Sequence, residues 1–149
     1  VQTLTIGGTP TGGTFTLGYK GQTTAAITWT ATDATLVANI DAALGALSTI
    51  GGAANITTAA GTVTSGIGTI TLTFAGTLTK KAVPLITVVA NNLTGTSPTL
   101  AIAETTPGVS ASGRGAAIGA TYTDSTNGKL YINTGTASVP VWTVVGAQT

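Results

Sequence analysis

The feature that most constrains this chain is a strict alternation of threonine with large apolar residues. In QTLTIGG, Leu4 and Ile6 alternate with Thr3 and Thr5. In GTFTLGYKG, Phe15, Leu17 and Tyr19 alternate with Thr14, Thr16 and Gly18. In AITWT, Ile27 and Trp29 alternate with Thr28 and Thr30, and in GTITLTFAG, Ile70, Leu72 and Phe74 alternate with Thr69, Thr71 and Thr73. Period two puts the apolar side chains on one face of a strand and the threonines on the other. A slip of one residue would invert the faces, so these registers are well specified. TPTGG and YKGQ carry turn chemistry, and the first three strands are expected to form a meander.

One segment breaks the period. TDATLVANIDAALGALSTIGG places Leu36, Ile40, Ala43, Leu44 and Leu47 at helical spacing, with Val37 beside them. A helix is expected over about residues 33–48, capped by Thr32 or Asp33 and stopped by Gly51-Gly52. Its single apolar stripe should lie on one face of the sheet. Weaker strands are expected near residues 56–59 and 62–64. LITVV is nearly continuously apolar and suits a strand that is central or buried on both faces, with Pro84 and Pro98 at strand starts. The fold expected is mainly β: a Thr-alternating antiparallel sheet or sandwich with one packed α-helix and a small C-terminal β-hairpin arm.

Three parts are expected along the chain: a β-rich domain at 1–105, a flexible linker at 106–118 and the arm at 119–149. The linker is read from its Pro-Gly followed by Ser, Ala and Gly. In the arm, Asn127-Gly128 is the preferred pair for a two-residue hairpin turn. Tyr122 lies on the incoming strand, Leu130, Tyr131 and Ile132 on the outgoing one, and Trp142 near the middle of a third. So short a segment cannot hold a core of its own and is expected to dock on the first domain, on other copies or on a partner.

Composition narrows the function. Charged residues are 6% of the chain and hydrophobic ones 42%, while threonine makes up roughly a quarter. Such a surface can be buried against protein without desolvating ions. Net charge is +1 and the basic residues are scattered, so neither nucleic acid nor a membrane is an expected partner. No apolar run reaches the ~20 residues of a spanning helix, and no signal-peptide pattern is visible. The chain begins with Val1, from which removal of an initiator Met is inferred.

With no histidine and no cysteine, the usual zinc sites, Ser-His-Asp triads and Cys-His dyads are excluded, and no cofactor is expected. Of the four acids, Asp33, Asp41, Glu104 and Asp124, the first reads as a helix cap, the second as an exposed helix position and the last as a turn start. A glycosidase-type carboxylate pair would need two of them to converge, and nothing in their spacing argues for it. GRGAAIG lacks the preceding strand and following helix of a phosphate loop and reads as linker. Asn55-Ile56-Thr57 and Asn92-Leu93-Thr94 match a glycosylation pattern that recurs by chance in a Thr-rich chain. Arg114 is the cation best placed to anchor on a carboxylate of a neighbouring chain. Tyr122, Tyr131 and Trp142 suit an interface first, a core second and a sugar-stacking platform last.

Two stretches resemble known proteins. TLTIGGTPTGGTFTLGYKGQTTAAITWTATDATLVANIDAAL resembles a β-rich module of tailed-bacteriophage virion proteins. GATYTDSTNGKLYINTGTASVPVWTVVG resembles a motif near the ends of head-decoration, head-fibre and tail-fibre proteins. The matching residues are Tyr122, Asp124, Gly128, Lys129, Leu130, Tyr131, Trp142 and Gly146. The resemblance implies a non-enzymatic virion protein, commonly a homotrimer. The length favours a capsid decoration (cement) protein on the outer surface of the head, with the major capsid protein as partner. Its interface residues would be Arg114, Tyr122, Asp124, Lys129, Leu130, Tyr131 and Trp142. The alternative is a fibre or adhesion module that stacks a host glycan on Trp29, Trp142 or a tyrosine.

Overall fold

The alternation yields strands, but they are longer than their turn residues suggest. In the computed structural model, β1 runs unbroken from Gln2 to Tyr19 and β6 from Thr87 to Glu104. Between them lie β2 (Gln22–Thr23), β3 (Ile27–Thr28), helix α1 (Asp33–Gly45), β4 (Ile56–Ala60) and β5 (Gly68–Phe74). The structure describes residues 1–108, 117–136 and 140–146, and the chain divides into two units, Val1–Gly108 and Val109–Thr149.

TPTGG is therefore not a turn, and the first two expected strands are one. β1 and β6 pair antiparallel from Gln2↔Glu104 to Gly18↔Thr87, with register shifts at Gly7/Thr9, Pro10/Gly12 and Thr16/Leu17. Such bulges increase local twist and bend a strand. Inward side chains occupy even positions before the bend (Leu4, Ile6) and odd positions after it (Phe15, Leu17, Tyr19). The extra β1 residue between Pro10 and Gly12 supplies that change of phase. Both halves of one strand thereby face one core.

The first half of β1 pairs with β5, which pairs with β4. The second half pairs with β3 and β2. A bent two-stranded ribbon thus serves two sheet segments, a sandwich-like arrangement in which strands change layer through bulges. Glycine is required at the bend. At Gly95 φ is +128° and a Cβ would stand 2.2 Å from the Thr9 carbonyl oxygen; at Gly8 φ is +73° and the clash is 2.1 Å from the Ser97 carbonyl oxygen.

β6 pairs only with β1 among the described residues, and Val89 is 54% exposed. It is an edge strand, not the central one its apolar run suggested. Pro98 sits within β6 rather than at a strand start, beside the bulge, where no regular ladder bond is lost. Gln2, 1% exposed, holds the entry to β6: its Nε2 donates to the Pro84 carbonyl (2.9 Å) and its Oε1 accepts from the Ile86 N–H (2.9 Å).

Helix α1 ends at Gly45, three residues short of the expected bound, and Gly51-Gly52 belong to the following turns. Leu36, Ile40 and Leu44 form its buried stripe and pack with Leu4, Phe15, Ile56 and Ile70. Thr32 occupies the N-cap position without a side-chain cap bond. Asp33 is not a cap either; its carboxylate accepts from the Gly66 N–H (2.8 Å) and the Ser65 N–H (3.3 Å). Asp41 is partly buried rather than exposed and accepts from the Thr58 N–H (2.8 Å), tying α1 to β4. Residues 62–64 form no strand, only an isolated bridge between Thr64 and Ile67.

Candidate functional site

The second unit is a sheet of three short strands: β7 (Thr121–Asp124), β8 (Lys129–Asn133) and β9 (Trp142–Val144), ordered β7-β8-β9. Tyr122 stands opposite Tyr131, Tyr131 opposite Val144, and Asn133 opposite Trp142. Directly paired residues share a face, and so do residues two apart on a strand. Tyr122, Tyr131, Trp142, Val144, Asp124 and Lys129 therefore occupy one face. Leu130 falls on the other, with Ile132 and Thr143, apart from the aromatic group.

The three rings come together. Tyr122 lies 6.1 Å from Tyr131 between centroids, tilted 37°, and 6.0 Å from Trp142 in an edge-to-face arrangement at 61°. Both distances fall in the range of favourable aromatic pairs. Between the rings is an open hollow of about 280 Å³ lined by these three side chains. Tyr122 is 55% and Trp142 41% exposed.

The hairpin loop differs from the expected one. Asp124 pairs with Lys129, which leaves a four-residue loop, with Asn127 and Gly128 as its last two residues. The Asp124 carboxylate organises it, accepting from the Thr126 N–H (3.0 Å), the Asn127 N–H (3.2 Å) and Asn127 Nδ2 (2.7 Å). This side chain commits the chain to a wider turn. The Asn127 side-chain amide, then its backbone N–H, holds the Asp124 carboxyl below its ordinary value. Gly128 adopts φ +64°, the left-handed conformation that closes the loop.

Sequence reasoning missed Asn133. It is 1% exposed, and its Oδ1 accepts from the Val141 N–H (2.8 Å) and the Gly135 N–H (3.0 Å), while Nδ2 donates to the Ala117 carbonyl (3.3 Å). It thus fastens β9 and the segment before β7 to the end of β8. Only its place at the end of the alternating KLYIN run hinted at such a role.

The other candidates separate from this cluster. Arg114 lies outside the described residues. Trp29 is half-buried against the core of the first unit, its indole N–H donating to the Gly66 carbonyl (3.0 Å), and offers no open platform. Asn55 of the first glycosylation pattern is buried and occupied: Nδ2 donates to the Ile50 carbonyl (2.9 Å) and Oδ1 accepts from the Thr77 N–H (2.9 Å). Among the described residues, no three His, Cys, Asp or Glu side chains form a group able to hold a metal ion. Nor, among them, is any helix long and apolar enough to cross a membrane.

The chemistry available at the aromatic face is recognition by π surface, phenol hydroxyls, an indole N–H and one ionised carboxylate. Comparison with known protein families, with curated proteins and with solved structures finds no match.

Proposed function

We propose that the chain is a non-enzymatic decoration (cement) protein of a tailed-bacteriophage head, binding the outer surface of the assembled shell as a homotrimer. The observation that carries this reading is the cluster of exposed Tyr122 and Trp142 with half-buried Tyr131, set on a sheet of three short strands. Aromatic residues exposed together on a small rigid element are the typical anchors of protein interfaces. The low charge of the chain supports it, since such a surface docks without stranding ions. The virion assignment and the trimer rest on the resemblance of the two sequence stretches. By binding the closed lattice better than its separated subunits, each copy would raise the cost of opening the shell.

Co-sedimentation of the purified chain with expanded heads tests this reading. Binding should saturate, depend weakly on salt and be lost in Trp142→Ala, with the amide spectrum of the first unit unchanged. Undiminished binding of that variant would remove the aromatic face from the account.

A second reading, adhesion to a host glycan, draws on the same hollow, because sugar rings also stack on aromatic faces. A glycan array that gives a signal lost in Trp142→Ala would favour it over the first.

A further inference from the structure

We infer that the 99–103 stretch of β6 is an interface between two copies of this chain, which pair their β6 edges antiparallel about a two-fold axis at Ala101. The contact joins copies in pairs, so it is separate from the three-fold association proposed above and does not rest on it.

This stretch is the one strand edge left unprotected among the described residues. A bare edge is a template for another strand, and proteins blunt edges with short strands, bulges, charges or covering groups. β2, β3 and the strands of the second unit are short. On β4 the Asp41 carboxylate takes the Thr58 N–H (2.8 Å). On β6 a register shift lies beside Val89, and around the bend Asn91 takes the Leu93 N–H and the Pro98 carbonyl. Beyond Pro98 no such device remains, and no charged residue occurs from Ala82 to Ala103. The ladder sets the direction of the open groups. The Thr105 N–H donates to the Val1 carbonyl (2.9 Å), so Ala103, Ala101 and Thr99 turn their backbone groups to β1, while Ile102 and Leu100 turn theirs outward. The Leu100 and Ile102 side chains pack on the core yet are only half-buried, whereas Ile6 and Leu4, opposite them on β1, are fully buried. One more strand would cover them.

The edge fits itself, and this selects a second copy as the occupant. Outward residues must meet outward residues. In an antiparallel pair centred on Ala101, Leu100 meets Ile102 of the second copy and Ile102 meets its Leu100. Each such pair exchanges N–H···O bonds between outward backbone groups and sets Leu against Ile on the core side. Moving the centre to Leu100 would set Ile102 against Pro98, which has no N–H and whose carbonyl already accepts from Asn91. Moving it to Ile102 would set Leu100 against the Glu104 carboxylate. The apolar pattern thus chooses the register. A two-fold axis normal to the sheet keeps the core sides of both copies on one side. It also leaves the two Glu104 residues about 20 Å apart along the edge, so like charges do not meet.

The test is disulfide cross-linking of the full chain. In this register Ala101 stands opposite Ala101 of the second copy as a non-hydrogen-bonded pair, with Cα atoms about 4.5 Å apart, within reach of a disulfide. The chain has no cysteine, so one substitution supplies its only thiol. Under mild oxidation with copper phenanthroline, Ala101→Cys should form a dimer at least about tenfold faster than Thr99→Cys or Ala103→Cys alone, because pairing raises the effective concentration of the two thiols. Thr99→Cys mixed with Ala103→Cys should give the mixed dimer at a rate comparable to Ala101→Cys, since these positions face each other in the same register. Adding Ile102→Pro to Ala101→Cys should return cross-linking to the slow rate. That change removes an outward N–H and leaves the β1 ladder intact, which an unchanged far-ultraviolet circular dichroism spectrum checks. Equal rates at the three positions, faster linkage of Thr99→Cys or Ala103→Cys to itself, or a rate unmoved by Ile102→Pro would overturn the inference.

Discussion

Asn91 and Pro98 lie seven residues apart on the same strand, yet Asn91 Nδ2 donates to the Pro98 carbonyl at 3.1 Å. A straight strand would separate them by about 23 Å. The bond therefore closes a sharp bend in β6, and β1 follows it through the register shifts on either side. Asn91 stands opposite Phe15 in the ladder and is itself exposed, so the bond spans the bend at the surface. Its Oδ1 also accepts from the Leu93 N–H (3.2 Å). The sandwich-like fold of the first unit depends on this corner.

Gly95→Ala should therefore be among the most damaging single substitutions. The new methyl would meet the Thr9 carbonyl at 2.2 Å and the φ of +128° excludes most L residues. A loss of about 3 kcal/mol or more is expected. Urea unfolding followed by far-ultraviolet circular dichroism measures it. A variant within about 0.5 kcal/mol of the parent would show that the bend is soft.

Tyr19→Phe should stabilise the chain. The ring is 1% exposed and packs on Phe74 at a centroid distance of 5.4 Å, but its hydroxyl has no hydrogen-bond partner. Removing the stranded hydroxyl should gain about 1 kcal/mol. Burial also raises the phenol above its ordinary 10.0. The unfolded chain then loses this proton first as pH rises. The contribution to stability is complete below the ordinary phenol value and declines above it until the folded phenol itself ionises. The alkaline decline should be shallower in Tyr19→Phe, as unfolding midpoints across the alkaline range would show.

Asn133→Ala should unravel the three-stranded sheet. It strands the Val141 and Gly135 N–H groups and the Ala117 carbonyl, for about 3 kcal/mol. Small sheets have little reserve. Amide resonances of the three strands, Thr121–Asp124, Lys129–Asn133 and Trp142–Val144, should collapse toward random-coil positions, and the Tyr122–Trp142 ring contact should vanish with them. Retained dispersion there would show that Asn133 is replaceable.

Acid should loosen the hairpin loop. Because the Asp124 carboxyl is held below its ordinary 3.8, it favours the folded loop above that value. The benefit disappears as pH falls through the lowered value. The Thr126 and Asn127 amide resonances should move together at that point, and Asp124→Ala should show the loosened positions at neutral pH. Amides that titrate independently would contradict a shared carboxylate cap.

The alternation of Thr with Leu, Ile and Phe made the inner faces legible, and the spacing of Leu36, Ile40 and Leu44 made the helix so. The bend was not legible. TPTGG and NNLTGTSP contain turn residues, and only their pairing across more than 80 positions, as at Gly12↔Thr94, turns them into bulges of one ribbon. β6 looked central because its composition is apolar, but exposure depends on which strands lie beside it. At the candidate site, the hairpin signal put Tyr122, Tyr131 and Trp142 on successive strands, and the folded sheet brought their rings together. It gave no sign of Asn133 or Gln2, whose roles are set by backbone groups that only the folded chain brings to them.

The most direct measurement is antibody labelling of particles, using antibodies raised against the purified chain and electron micrographs of tailed particles released from the cells that make it. The account predicts many labels per head, spread over its outer surface. Label confined to fibre tips or cell surfaces, or absent from the particles, would contradict it.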